Sequence, residues 1–209
     1  MTALVPALLA PTPEKLAEQL AKVQSLSPLI SYDVADGVLI APASPWPGEY
    51  PQPPDGTAIF WHLMVMEPLA MLSACLRFPT KMIAIHAEAK GLPNTIAQLH
   101  SAGVPVGLVL NPETPVSVVE PWLEQVDLVQ LMTVEPGGQG RPFLPDVLKK
   151  IDQLRSIRPT LQLAIDGGIK RDTIEQVRSY AVDYLVVGSA LLAAERPQEE
   201  YEALRIALE

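Results

Sequence analysis

The sequence predicts an α/β protein built as a TIM (β/α)8 barrel, and three observations carry that prediction. Eight short apolar stretches recur along 209 residues, nearly all alternating with helical patterns. The stretches are almost continuously apolar, as strands are in a parallel sheet covered on both faces. Eight such units in a chain of this length match a closed barrel. The alternative, an open doubly wound sheet, is disfavoured because no G-x-G-x-x-G follows the first strand. The length suits a single domain over residues 1–209.

Leu4–Ala10 (LVPALLA) reads as the first strand. Thr12 and Pro13 then open a helix, Thr as the N-cap and Pro at the first helical position, and Leu16, Leu20, Val23 and Leu26 give it one apolar face. Leu29–Val34 is the second strand. Because side chains alternate, Ser31, Asp33 and Ala35 share one of its faces. Val38–Thr57 then breaks the alternation. It holds six prolines and no helical period, so a Pro-rich loop replaces the helix between strands 2 and 3. A loop of about twenty residues is usually functional or mobile. Ala58–Val65 is the third strand, with Phe60, His62 and Met64 on one face. A helix over Pro68–Leu76 and a strand over Met82–Glu88 follow. The pattern continues with a helix at Asn94–Ala102 that stops at Gly103, a strand at Val104–Leu110, a helix at Pro115–Glu124 and a strand at Asp127–Val134. Leu144–Ile157 is helical. Leu161–Gly168 (LQLAIDGG) is a strand ending in an acid and two glycines, and a helix covers about Arg171–Tyr180. Tyr184–Leu192 (YLVVGSALL) carries the last strand, and a closing helix spans about Pro197–Leu208.

Composition narrows the function. The formal charge is −9 with no Lys/Arg-rich run, which disfavours nucleic-acid binding. No apolar run reaches ~18 residues and no basic-then-apolar leader opens the chain, so no membrane partner is expected and the cytoplasm is the default compartment. Cys75 is the single cysteine. It excludes an intramolecular disulfide and a cysteine zinc cluster, and its apolar helical setting marks it as core.

In a barrel of this kind function sits at the carboxyl ends of the strands. The polar residues there are Asp33, His62, His86, Asn111, Glu135, Asp166 and Ser189. Asp33, His62 and Asp166 supply three protein ligands and leave a position open, as a working zinc site does; mixed N/O ligands suit iron, manganese or cobalt as well. Such a metal polarises a carbonyl, and two carboxylates beside the adjacent carbon can remove a proton from one face and return one to the other. Gly137, Gly138 and Gly140 follow strand 6, Gly167 and Gly168 follow strand 7, and Gly188 and Ser189 follow strand 8. Consecutive glycine turns here suit a phosphate group. Met64 and Met132 are core residues that can also wall the site.

The sequence resembles the ribulose-phosphate 3-epimerase family. The stretches that carry the resemblance are Asp33–Gly37 (DVADG), His62–Val65 (HLMV), His86–Ala89 (HAEA), Asn111–Pro115 (NPETP), Met132–Gly137 (MTVEPG), Ile165–Ile169 (IDGGI) and Val187–Ala190 (VGSA), in the family's order along nearly the whole chain. The resemblance implies a TIM barrel, usually oligomeric, that interconverts D-ribulose 5-phosphate and D-xylulose 5-phosphate with a divalent metal. It makes Asp33 and Asp166 the acid/base pair and metal ligands, and His62 a metal-binding histidine. It also exposes departures. Ser31 stands where the family has a fourth metal-binding histidine, so the metal is expected to be weakly held or absent. Ala7 replaces a serine, Ala35 replaces a methionine, the glycine loop reads Gly138-Gln139-Gly140-Arg141, and the Pro-rich loop replaces the segment after Gly37. These departures keep two further expectations open: a diverged member acting on another phosphosugar, and a sugar-phosphate-binding protein without catalysis.

Overall fold

In the computed structural model, which describes residues 2–137 and 140–208, eight parallel strands close into a barrel in sequence order. They are β1 (Ala3–Leu8), β2 (Leu29–Ala35), β3 (Ala58–Met64), β4 (Thr80–His86), β5 (Val106–Leu110), β6 (Leu128–Met132), β7 (Gln162–Asp166) and β8 (Tyr184–Val187). The ring closes where Ala3 pairs with Tyr184 and Pro6 with Val187. The TIM barrel is therefore the observed fold. No described helix is long and apolar enough to cross a membrane.

The inward faces explain where the site lies. Phe60, Met82, Ala84, Val109, Leu128, Met132 and Ala164 pack into one buried cluster inside the ring. Gly107 belongs to this crowded layer: a Cβ there would lie 3.0 Å from Ala84 Cβ and 3.1 Å from Leu128 Cδ2. Toward the carboxyl ends the inward positions turn polar, with Asp33, His62, His86, Gln130 and Asp166 all buried. The register that sets Asp33 beside His62, and Met132 beside Asp166, puts these groups into one layer above the apolar plug.

The outer layer departs from the helices that the sequence predicts. Helix α1 (Pro13–Val23) forms as expected, with Thr12 accepting from Lys15 N–H at 3.3 Å. The segment Pro68–Leu76 is a 3-10 turn (Pro68–Met71) followed by the one-turn α2 (Leu72–Cys75), in which Cys75 is a buried free thiol. Helix α3 spans Leu92–Ser101. Over Pro115–Glu124 two 3-10 turns, Val116–Val118 and Glu120–Trp122, replace the expected helix. Pro121 accounts for this: it has no N–H to continue an α-helical ladder, and its ring obstructs the preceding turn. The pattern Leu144–Ile157 enters through a 3-10 turn at Pro145–Leu148 before α4 (Lys149–Ile157). Arg171–Tyr180 yields only α5 (Ile174–Val177). The YLVVGSALL stretch divides into β8 and a one-turn helix α6 (Ser189–Leu192), and α7 (Pro197–Ala207) closes the chain.

The Pro-rich loop contains no α-helix, as predicted, and it is packed. Ser44 pairs with Ala35 through both N–H groups: Ser44 N–H donates to Ala35 O at 2.9 Å, and Ala35 N–H to Ser44 Oγ at 3.0 Å. The Tyr50 hydroxyl donates to Asp33 O at 2.6 Å, and the Tyr32 hydroxyl to Pro51 O at 2.9 Å. Tyr50 also packs into an aromatic cluster, tilted against Tyr32 and edge-on to Trp61, at ring separations of 5.2 and 5.4 Å. Asp36 ties the loop to the end of β3, accepting from Met66 N–H at 2.6 Å and from Val38 and Leu39 N–H at 2.8 Å. The loop's own side chains, the backbone of β2 and Tyr32 thus supply the partners that a helix would have supplied from its own backbone.

Candidate active site

A cavity opens at the carboxyl ends of the strands, where sites of this fold lie. Asp33 and Asp166 reach it from β2 and β7, Met64 and Met132 wall it, and Gly137, Gly140, Gly167, Gly168, Gly188 and Ser189 form its rim, with Ile40 of the Pro-rich loop on one side. His62 is fully buried beneath the acids. Gly138 lies outside the described residues. Glu135 is exposed at the rim, and Asn111 does not reach the cavity.

Asp33, His62 and Asp166 offer ligand atoms that all lie within 4.8 Å of one another. His62 Nδ1 is 3.1 Å from Asp166 Oδ2 and 3.8 Å from Asp33 Oδ1. Ser31, on the same face of β2, donates its hydroxyl to Asp33 Oδ1 at 2.6 Å. Gln130 Nε2 donates to Asp166 Oδ2 at 3.1 Å and lies 3.2 Å from His62 Nδ1. Below them His62 Nε2 meets His86 Nε2 at 3.0 Å, the rings stacked with centroids 5.2 Å apart. His86 Nδ1 is 3.3 Å from Glu88 Oε2, at ion-pair distance but without hydrogen-bond alignment. Thr114 donates to the other oxygen of Glu88.

Burial dominates the electrostatics. It pushes Asp33 up to about 7, helped by the charge of Asp166 and opposed by His62 and the Ser31 hydrogen bond. It pushes Asp166 up to about 7 as well, opposed by His86. Two carboxyl groups this close titrate as a pair, so near neutral pH one proton is shared between them. Burial lowers both His62 and His86, against the pull of Asp33 and Glu88 respectively. Glu88 is held at about 2: its partial burial is outweighed by the nearby His86 ring and the hydrogen bond from Thr114.

The turn after β7 requires its glycines. Gly167 has φ +110°, and a Cβ would sit 2.6 Å from Val134 Cγ2. Gly168 has φ +69°, and a Cβ would sit 3.0 Å from the Phe143 backbone. Thr133 holds this turn, its hydroxyl lying 3.0 Å from Asp166 O and 2.6 Å from Gly167 O.

Matched against known families, residues 3–192 fit the model of the ribulose-phosphate 3-epimerase family. The chain belongs to that family. A ribulose-phosphate 3-epimerase of Schizosaccharomyces pombe is 36% identical over 145 residues, 69% of this chain and 64% of that protein. Ribulose-phosphate 3-epimerase 2 of Cupriavidus necator is 33% identical over 204 residues, 91% of this chain and 84% of that protein. The match to the S. pombe relative thus spans just under two thirds of its length. Among solved structures, 3-hexulose-6-phosphate synthase from Salmonella typhimurium superposes with a TM-score of 0.71 at 18% identity, covering 100% of this chain and 98% of that one, which supports the barrel fold.

The donor set suits a divalent metal. Three buried N/O donors converge and leave the cavity side open, the arrangement expected of a catalytic ion, and Ser31 adds a hydroxyl committed to Asp33 in place of a fourth ligand. The sequence places His86 at a strand end but does not join it to His62, and it assigns no role to Gln130 or Glu88. The signal for Gln130 was present: an amide in the middle of the apolar run DLVQLMTV has to find a buried partner.

Proposed function

We propose that this protein is an epimerase that interconverts D-ribulose 5-phosphate and D-xylulose 5-phosphate, with Asp33 and Asp166 as its two acid/base residues. The single observation behind this reading is the carboxyl pair. The two groups come from well-separated strands, lie within 4.8 Å of one another at their ligand atoms, and are both held up near 7 by burial. The ionised member takes the proton from C3 of the ketose on one face, and the charge moves onto the C2 oxygen. The protonated member then gives its proton to C3 on the opposite face, and configuration inverts. After one turnover the proton has changed sides, so the same pair is set for the reverse reaction. Met64 and Met132 keep water from the carbanion-like intermediate, and the glycine rim of strands 6–8 receives the phosphate.

Asp33, His62 and Asp166 would hold the divalent ion, whether zinc, iron, manganese or cobalt; when bound it polarises the substrate carbonyl. Ser31 favours a weaker hold than a fourth imidazole would give. The protein is expected to act as a homo-oligomer, a state that light scattering of the purified chain measures. A coupled assay of ribulose 5-phosphate epimerisation tests the main reading. The wild type is expected to turn over, and Asp33→Asn and Asp166→Asn each to lose at least about 100-fold, in line with the removal of one acid/base group. Phosphosugar binding without turnover in the wild type, with and without added metal, would replace this reading with that of a binding protein.

A further inference from the structure

Beneath the carboxyl pair runs a line of polar groups that the proton-transfer scheme does not use: half-buried Glu88, buried His86 and the far nitrogen of buried His62. We propose that His86 and Glu88 are positioning residues. Together they hold His62 as the tautomer with its proton on Nε2, so that its Nδ1 lone pair faces Asp33 and Asp166.

The argument is a count of protons along the line. Two imidazole nitrogens 3.0 Å apart, His62 Nε2 and His86 Nε2, need one hydrogen between them: one nitrogen donates and the other accepts. The ends of the line decide which. At the lower end, Glu88 is ionised and only accepts, and its Oε2 faces His86 Nδ1 at 3.3 Å. Both atoms are buried and neither has a hydrogen-bond partner elsewhere among the described residues. His86 therefore carries its proton on Nδ1 and presents a lone pair at Nε2, which His62 Nε2–H fills. At the upper end, Gln130 Nε2 donates to Asp166 Oδ2 and points a second N–H at His62 Nδ1, 3.2 Å away. Where Asp166 is the ionised member of the pair, a flipped amide would set its carbonyl oxygen against a carboxylate, so the donor faces His62 and Nδ1 holds a lone pair. With Asp166 ionised, the upper end gives the same answer as the lower.

The consequence reaches the site. A lone pair at His62 Nδ1, 3.1 Å from Asp166 Oδ2, is one acceptor facing another, and a cation between them would take that lone pair over from the Gln130 N–H. Fixing the tautomer from below thus keeps His62 ready for a metal at every turnover, as outer-shell partners of ligand histidines do. The link to metal binding rests on the proposed function; the tautomer does not.

The test is a long-range ¹H–¹⁵N spectrum of the metal-free protein at pH 8. The chain has three histidines, so His86→Gln and His100→Gln variants complete the assignment. The expected result is His86 protonated at Nδ1 and His62 protonated at Nε2, with Glu88→Leu turning His86 into a mixture of tautomers. A wild type with His62 protonated at Nδ1, or tautomers unmoved by Glu88→Leu, would overturn the proposal. In parallel, calorimetric titration with Zn²⁺ is expected to show roughly 10- to 100-fold weaker binding in Glu88→Leu. Unchanged affinity would overturn the positioning role. A wild type that has the stated tautomers but binds no Zn²⁺ would refute the metal reading of the site and leave the tautomer assignment standing.

Discussion

Replacing Asp166 by Asn in the metal-free protein should make it more stable, and the gain should grow with pH. Asp33 and Asp166 are buried carboxyls held up near 7, against an ordinary value of 3.8. A carboxyl whose folded value lies above its unfolded value costs no stability while both states are protonated, below about pH 4. The cost accumulates as pH rises through this window and is complete above about pH 7. At about 1.36 kcal/mol per pH unit, one carboxyl displaced this far costs about 4 kcal/mol, an upper figure because the pair shares the burden. His62 and His86 act in the opposite sense: held below the ordinary histidine value, they favour the folded state as pH rises through about 6.5. Their contribution largely cancels when the variant is compared with the wild type at each pH. The assay is urea unfolding with a chelator present, at pH 4.5 and pH 8. The wild type is expected to lose a few kcal/mol relative to Asp166→Asn between the two. A difference that is independent of pH, or that favours the wild type at pH 8, would refute the shared-proton description of the pair.

Three further outcomes follow from the same geometry. Tyr50→Phe removes the hydroxyl that holds the Asp33 carbonyl and should cost about 1 kcal/mol in urea unfolding, with activity falling as Asp33 loosens. Gly167→Ala forces a Cβ against Val134 at positive φ; it should cost about 2–3 kcal/mol by thermal unfolding and raise KM for the phosphosugar. Ser31→Ala removes the hydrogen bond that favours ionised Asp33, so the acidic limb of the kcat/KM profile should move up by about one pH unit.

Much of this was legible in the sequence because the barrel writes itself in alternation. Strand positions 31, 33 and 35, and 60, 62 and 64, were read onto shared faces, and the register sets Asp33 beside His62 on that basis. The helices were less legible. A 3.6-residue apolar period at Pro115–Glu124 does not reveal that Pro121 breaks the ladder, and the pattern at Arg171–Tyr180 packs only Ile174 and Val177 into the core of a single turn. The Pro-rich loop was recognised as a departure, but its order depends on long-range partners, Tyr50 with Asp33 and Asp36 with Met66, which no local pattern encodes. The same holds for His86 and Gln130. Each is a single polar residue on an apolar strand, and its meaning comes only from the neighbour across the barrel.

The central claim is that two acids exchange one proton across C3 of a ketose phosphate. Turnover of D-ribulose 5-phosphate in D₂O, followed by proton NMR, addresses it directly. The account predicts that the xylulose 5-phosphate formed carries deuterium at C3, and that Asp166→Asn abolishes this incorporation. Product that keeps its original C3 hydrogen, or incorporation that survives in Asp166→Asn at the wild-type rate, would contradict it.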